Sequence, residues 1–343
     1  MIESRRDLRV CTNNMKTFAA IESPIVRAAK PGELAQIIEL TRMAWPGETG
    51  AHFQADPWFD WGQFRVARLN GDIVGMLKIY RREIRWGDST AVVGGIGDVV
   101  THPDYRNRGF ARLVIDDAIR YLTENGYELS ILFSGLTALY RRFGWKPLPQ
   151  PLSSGTLEQF RLHREPKYQL RLFNPVSDLK EVSSIYESGN TGRHGSIFRT
   201  KEYWEAQLSW KREEAEAFFV ALEQDAIVGY VRGKRVDNVF QVFECISLDP
   251  HRDCEVDLAL QATRYALDQG CTRFEVALPA DNCLTERLGK IGTELTKGTC
   301  SLLMLQPIAV QALAKKLSLD PSTPGSELIG KMPPFHFWGP DSF

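Results

Sequence analysis

The run Thr101-His102-Pro103-Asp104-Tyr105-Arg106-Asn107-Arg108-Gly109-Phe110-Ala111 lies between two stretches of different periodicity. Residues 92–100 are rich in Val, Ile and Gly and read as a strand, whereas Leu113, Val114, Ala118, Ile119 and Leu122 recur at helical spacing. The run is therefore a strand-to-helix turn. The first N–H groups of a helix have no partner inside it and the dipole is positive there, so backbone alone can hold an anion such as a pyrophosphate. Gly109 removes the Cβ that would block a close approach. Arg106 and Arg108 add forked charge that suits phosphate oxygens. The anion-binding set is then Arg106, Asn107, Arg108, Gly109, Phe110, Ala111 and Arg112. A loop with exposed arginines leading into a surface helix is the plainer reading of so short a motif.

Context favours the first reading. A strand over Leu129 to Phe133 follows the helix, and then comes Tyr140-Arg141-Arg142-Phe143-Gly144-Trp145. This order of elements and motifs resembles the coenzyme-binding core of the GNAT acyltransferases over about residues 24 to 150, with Ala111 where Gly is commoner. The resemblance implies acetyl-CoA as cosubstrate, with its pyrophosphate on the arginine and glycine turn. It also implies Tyr140 as general acid, and Gly135 where the coenzyme arm passes close to the backbone.

Acyl transfer from a thioester to an amine needs a neutral amine, an oxyanion site and a proton for the thiolate. The backbone N–H groups of Val99, Val100 and Thr101 are candidates to bind the pantetheine arm and polarise the carbonyl. Gly94, Gly95 and Gly97 just upstream suit a bulged strand, or equally mark close packing. A tyrosine of reference pKa ~10 keeps its proton at neutral pH and can pass it to a thiolate whose acid has a pKa of ~8.5. Acceptor contacts fall to the segment from Ala44 to Trp61, with Trp45, Glu48, His52, Phe53, Asp56, Trp58, Asp60 and Trp61. Aromatics with acids suit an amine cation, and they would serve equally as a core edge or an interdomain seam. His52 is a candidate base.

The remaining composition sets limits. A chain of 343 residues suits two domains, and a net charge of −1 implies no broad basic surface for nucleic acid. The sequence has no run of eighteen apolar residues and no leader pattern, so a soluble, cytoplasmic protein without membrane partners is expected. Six cysteines without a C-x-x-C pair or clustered histidines suggest reduced thiols and no metal.

The second half repeats the first. Arg171 to Pro175 parallels Arg27 to Pro31, Phe219 to Gly229 parallels Phe64 to Gly75, and Tyr265 to Gly270 parallels Tyr121 to Gly126. Opposite the turn, however, stands Asp249-Pro250-His251-Arg252-Asp253-Cys254-Glu255-Val256, which has acids and no glycine. Carboxylates there would satisfy the helix dipole and repel a pyrophosphate. The expected fold class is α/β (α+β), with two tandem GNAT-like domains, each a mixed, mostly antiparallel twisted sheet flanked by helices. The expected boundaries are a loose arm over 1–23, a catalytic domain over 24–150, a linker over 151–167, a degenerate copy over 168–308 and a C-terminal helix with an aromatic tail over 309–343.

This layout is similar to the enhanced intracellular survival aminoglycoside acetyltransferases, without room for their third domain. In that family a C-terminal carboxylate serves as base, which would give Phe343 that role. The function implied is an acetyl-CoA-dependent N-acetyltransferase acting on a primary amine of a small molecule, with a homo-oligomer allowed. A non-catalytic acyl-CoA sensor and a protein lysine acetyltransferase are the alternatives.

Overall fold

The computed structural model describes residues 23–160, 164–210 and 216–341. The first half carries β1 (Ile25–Ala28), α1 (Leu34–Arg42), α2 (Ala51–Ala55), β2 (Phe64–Leu69), β3 (Asp72–Trp86), β4 (Ser89–Thr101), α3 (Phe110–Glu124), β5 (Leu129–Phe133), α4 (Thr137–Arg141) and β6 (Lys146–Pro147). There follow β7 (Gln150–Thr156), β8 (Gln169–Leu172), α5 (Leu179–Gly189), β9 (His194–Ile197), α6 (Lys201–Trp210), β10 (Glu216–Glu223), β11 (Ala226–Val236), β12 (Val239–Ser247), α7 (Cys254–Asp268), β13 (Arg273–Val276), α8 (Leu284–Lys290), β14 (Thr296–Cys300), β15 (Leu303–Pro307), α9 (Val310–Lys316) and α10 (Gly325–Leu328).

Each half builds the same mixed sheet. β1 to β4 are antiparallel neighbours and β4 pairs β5 in parallel. In the second half β8, β10, β11 and β12 are antiparallel neighbours and β12 pairs β13 in parallel. The hairpin between β2 and β3 turns on Asn70 and Gly71, both with positive φ, as a two-residue turn of twisted strands requires. Its counterpart turns on Gln224 and Asp225 with the same sign of φ and no glycine.

The halves also exchange strands. The sheet orders are β1-β2-β3-β4-β5-β15-β6, with β9 paired to β3, and β14-β7-β13-β12-β11-β10-β8. The stretch 151–167, read from its prolines as a linker, therefore contains most of a strand of the second sheet. Pro151 is tolerated because at that end β7 pairs only with β14, and pairing to β13 begins at Ser153. Likewise β15, assigned by sequence to the second domain, completes the first sheet between β5 and β6.

Alternate residues of β3 face opposite sides of the sheet. Leu77 and Ile79 pack with Val114, Ile115, Ala118 and Leu122 of α3. Met76 packs on the other face with Ile37 and Leu40 of α1 and Phe53 of α2. Further along that second face, Ile84 and Trp86 are covered by Leu313, Leu328, Phe335 and Phe337 of the C-terminal segment. The tail continues into the other core, where Trp338 is buried.

Candidate active site

The splay between β4 and β5 positions the site. Their parallel pairing runs from Val93↔Leu129 to Gly95↔Ile131, although β4 continues to Thr101. β5 stays with β15 along its whole length, and the Ser134 N–H extends that pairing to the Leu302 carbonyl at 2.9 Å. β4 instead leaves with β3, through a bulge at which Asp98 and Val99 stand opposite Leu77. A wedge opens between the strands, with the backbone of Val99 to Thr101 on one wall and Gly135, exposed after β5, on the other. Gly94 sets the closed end of the wedge: a Cβ there would lie 2.2 Å from Leu122 Cδ2.

α3 begins at the end of this wall. Gly109 is its N-cap residue, with φ 86° and no side-chain cap. Asn107 also has positive φ, so two left-handed residues lie within three positions just before the helix. Arg106 and Arg108 are exposed beside it. The Arg108 guanidinium lies 5.2 Å over the ring of Tyr105, which in turn packs edge-on against Phe110. Of the other expected contacts, the side chains of Val100 and Phe110 are buried in the core, and Arg112, largely exposed, lies 3.3 Å from Asp116.

Tyr140 sits on α4, is 7% exposed and meets Trp145 in an edge contact. Burial raises its pKa, which keeps the hydroxyl protonated. Among the described residues that hydroxyl makes no hydrogen bond, so it is free to serve a ligand. Phe343 lies outside the described residues.

The structure brings His52 and Glu48 of the 44–61 segment together with Tyr80 and Asp98. Tyr80 donates to Asp98 Oδ2 at 2.5 Å, His52 Nε2 lies 3.9 Å from the same oxygen, and His52 Nδ1 lies 3.4 Å from Glu48 Oε1. Burial, then the Asp98 carboxylate, push the Tyr80 hydroxyl well above its ordinary pKa, so it remains a donor. Asp98 and His52 keep 15% and 24% of their side chains exposed, whereas Tyr80 and Phe53 beneath them are buried.

Two buried cations on the same face of β3 hold the loop that carries His52. Lys78 Nζ donates to the Phe53 carbonyl at 3.1 Å, and Arg82 Nη1 donates to both oxygens of Asp56 at 2.9 and 3.1 Å. Burial lowers the Lys78 pKa to about 8. Asp98, Tyr80, Lys78 and Arg82 were not singled out from sequence. The available signal was three polar side chains at alternate positions 78, 80 and 82 in a strand otherwise apolar on that face.

The second copy fills the equivalent helix start from within. Glu255 accepts from Ser247 Oγ at 2.8 Å and from Arg287 at 2.6 Å, and Asp257 accepts from the N–H groups of Lys167 and Tyr168.

Residues 25–148 match the family model of the acetyltransferase (GNAT) domain. Residues 25–148 are thus a GNAT acetyltransferase domain. In fold the chain as a whole is similar to several solved structures. A conserved protein of unknown function from Enterococcus faecalis V583, described as a probable N-acyltransferase, aligns with TM-score 0.68 at 14% identity over 86% of this chain and 75% of that one. A GCN5-related N-acetyltransferase from Kribbella flavida aligns with TM-score 0.62 at 18% identity over 84% and 73%. Eis1 from Mycobacterium abscessus aligns with TM-score 0.61 at 16% identity over 86% and 76%. No curated protein matches the sequence. Among the described residues no helix is long and apolar enough to cross a membrane.

Proposed function

We propose that the protein transfers an acetyl group from acetyl-CoA to a primary amine of a small molecule, by direct attack in a ternary complex. The observation that carries this reading is the wedge. β4 parts from β5 after Gly95 and leads directly into an uncapped helix whose first residues can take an anion. The pyrophosphate rests on residues 106–112, the pantetheine arm runs between the backbone at 99–101 and Gly135, and Tyr140 protonates the leaving thiolate.

The amine arrives as a cation and must lose a proton before it attacks. The Asp98 carboxylate attracts it, and His52, placed between Asp98 and Glu48, takes the proton. The balance is one ammonium and one thioester giving one amide, one thiol and one released proton. The half-exposed acids and the nearby Trp58 suit small polyamines or amino sugars better than anionic acceptors.

The test is thiol release from acetyl-CoA across a panel of amines. Amine-dependent release is expected, with His52→Gln lowering kcat by about 10- to 100-fold. Coenzyme binding without turnover on any amine would instead mark a sensor.

A further inference from the structure

The second domain holds a buried carboxylate that belongs to the tail. Asp341 accepts from Arg199 Nε at 3.0 and 3.2 Å, from Arg199 Nη2 at 2.9 Å, from Gln207 Nε2 at 2.9 Å and from the Tyr203 hydroxyl at 3.1 Å. Arg199, Gln207 and Tyr203 are all buried. Arg199 also pairs with Glu244 at 2.9 Å, and Glu244 with Arg232 at 3.3 Å. The backbone leading to Asp341 lies directly on the second sheet, since a Cβ on Gly339 would stand 2.7 Å from Phe243 Cβ. Trp338 Nε1 is fixed to Asn190 Oδ1 at 2.8 Å.

This pocket corresponds to the amine side of the first copy. Arg232 stands three residues after Gly229, as Lys78 stands three after Gly75, and both glycines pair with the last residue of the next strand. Each domain therefore carries a buried cation at one structural position. Tyr203 links the two, because its ring lies 5.2 Å from the Trp58 ring and 5.0 Å from the Arg82 guanidinium, which holds Asp56.

We propose that the second domain is a receptor for the Asp341 carboxylate, and that this docking positions the amine-side loop of the first domain through Tyr203. Asp341 is a positioning residue, and the proposal rests on the reading that the amine meets His52 and Asp98. Asp341→Ala removes the carboxylate and leaves a space the size of formate. Its expected signature is a lowered Tm and an amine KM raised about tenfold, with the acetyl-CoA KM changed by less than about twofold. Sodium formate then restores both, sodium chloride of equal ionic strength does not, and the parent protein is unmoved by either. If Asp341→Ala folds poorly, refolding yield in formate against chloride reads the same receptor, and the near-isosteric Asp341→Asn carries the KM measurement. Formate acting no better than chloride, or Asp341→Asn leaving the amine KM unchanged, overturns the proposal. The Tm readout needs no turnover, so failure of the acetyltransfer reading would be seen separately, as no amine supporting thiol release by the parent protein.

Discussion

The starts of α3 and α7 are the same place in two copies of one fold, and they are built for opposite purposes. Both helices span fifteen residues and both follow the strand that leaves its parallel neighbour. α3 opens on a left-handed glycine with no side-chain cap, flanked by exposed arginines. α7 opens on Cys254 and buried acids whose partners are Ser247, Arg287 and the backbone of residues 167 and 168. One end keeps its N–H groups for a ligand, and the other uses the same electrostatics to anchor its own chain. The same scaffold thus presents one open helix start and one that its own chain fills.

The largest expected effect breaks the chemistry in the first copy alone. Tyr140→Phe keeps the buried ring and removes the proton donor, so kcat should fall by roughly 10²-fold or more while the acetyl-CoA KM stays put. Steady-state kinetics check this, and an unchanged kcat removes Tyr140 from the mechanism.

A smaller effect probes the packing that closes the wedge. Gly94→Ala forces a methyl group against Leu122, and overpacking of this kind costs about 1–3 kcal/mol. Denaturant unfolding should show the loss in stability, together with weaker coenzyme binding as α3 is displaced from the sheet. A neutral result would mean that Leu122 moves aside freely and that the glycine has no packing role.

A stability effect of similar size concerns what the copies share. Arg27 holds Glu33 in the first and Arg171 holds Asp178 in the second, each acid also accepting from a backbone N–H at the turn before the helix. The Arg27 hydrogen bond brings Glu33 down to about 2, and the Arg171 and local hydrogen bonds bring Asp178 to about 2 against the cost of burial. Because both folded pKa values lie below their unfolded ones, this stability is present above about pH 4.5 and is lost as pH falls toward 2. Glu33→Gln and Asp178→Asn should each lower stability at pH 7 by about 1–3 kcal/mol and flatten the acid limb of the stability profile. Unequal effects would show that the pairs are not equivalent.

The parts legible in the sequence are those set by local contacts. The turn at 101–111, the helix after it and the Asn70-Gly71 hairpin all depend on neighbours within a few positions. What escaped notice depends on distant partners. The prolines around Gln150 hide a strand because the partners that accept them, β13 and β14, lie more than a hundred residues on. Asp98 looked like one residue of a glycine-rich strand until the bulge, at φ 50°, turned it toward His52 and Tyr80. Lys78 and Arg82, which no local pattern singles out, fasten the segment from Phe53 to Asp56 to the strand.

The central claim is that one copy holds the coenzyme and the other does not. Calorimetric titration with coenzyme A tests it most directly. One site per chain is expected, lost in Gly109→Asp, which places a second-copy acid at the start of α3, and retained in Glu255→Gln. Two sites per chain, or binding that survives Gly109→Asp, would contradict it.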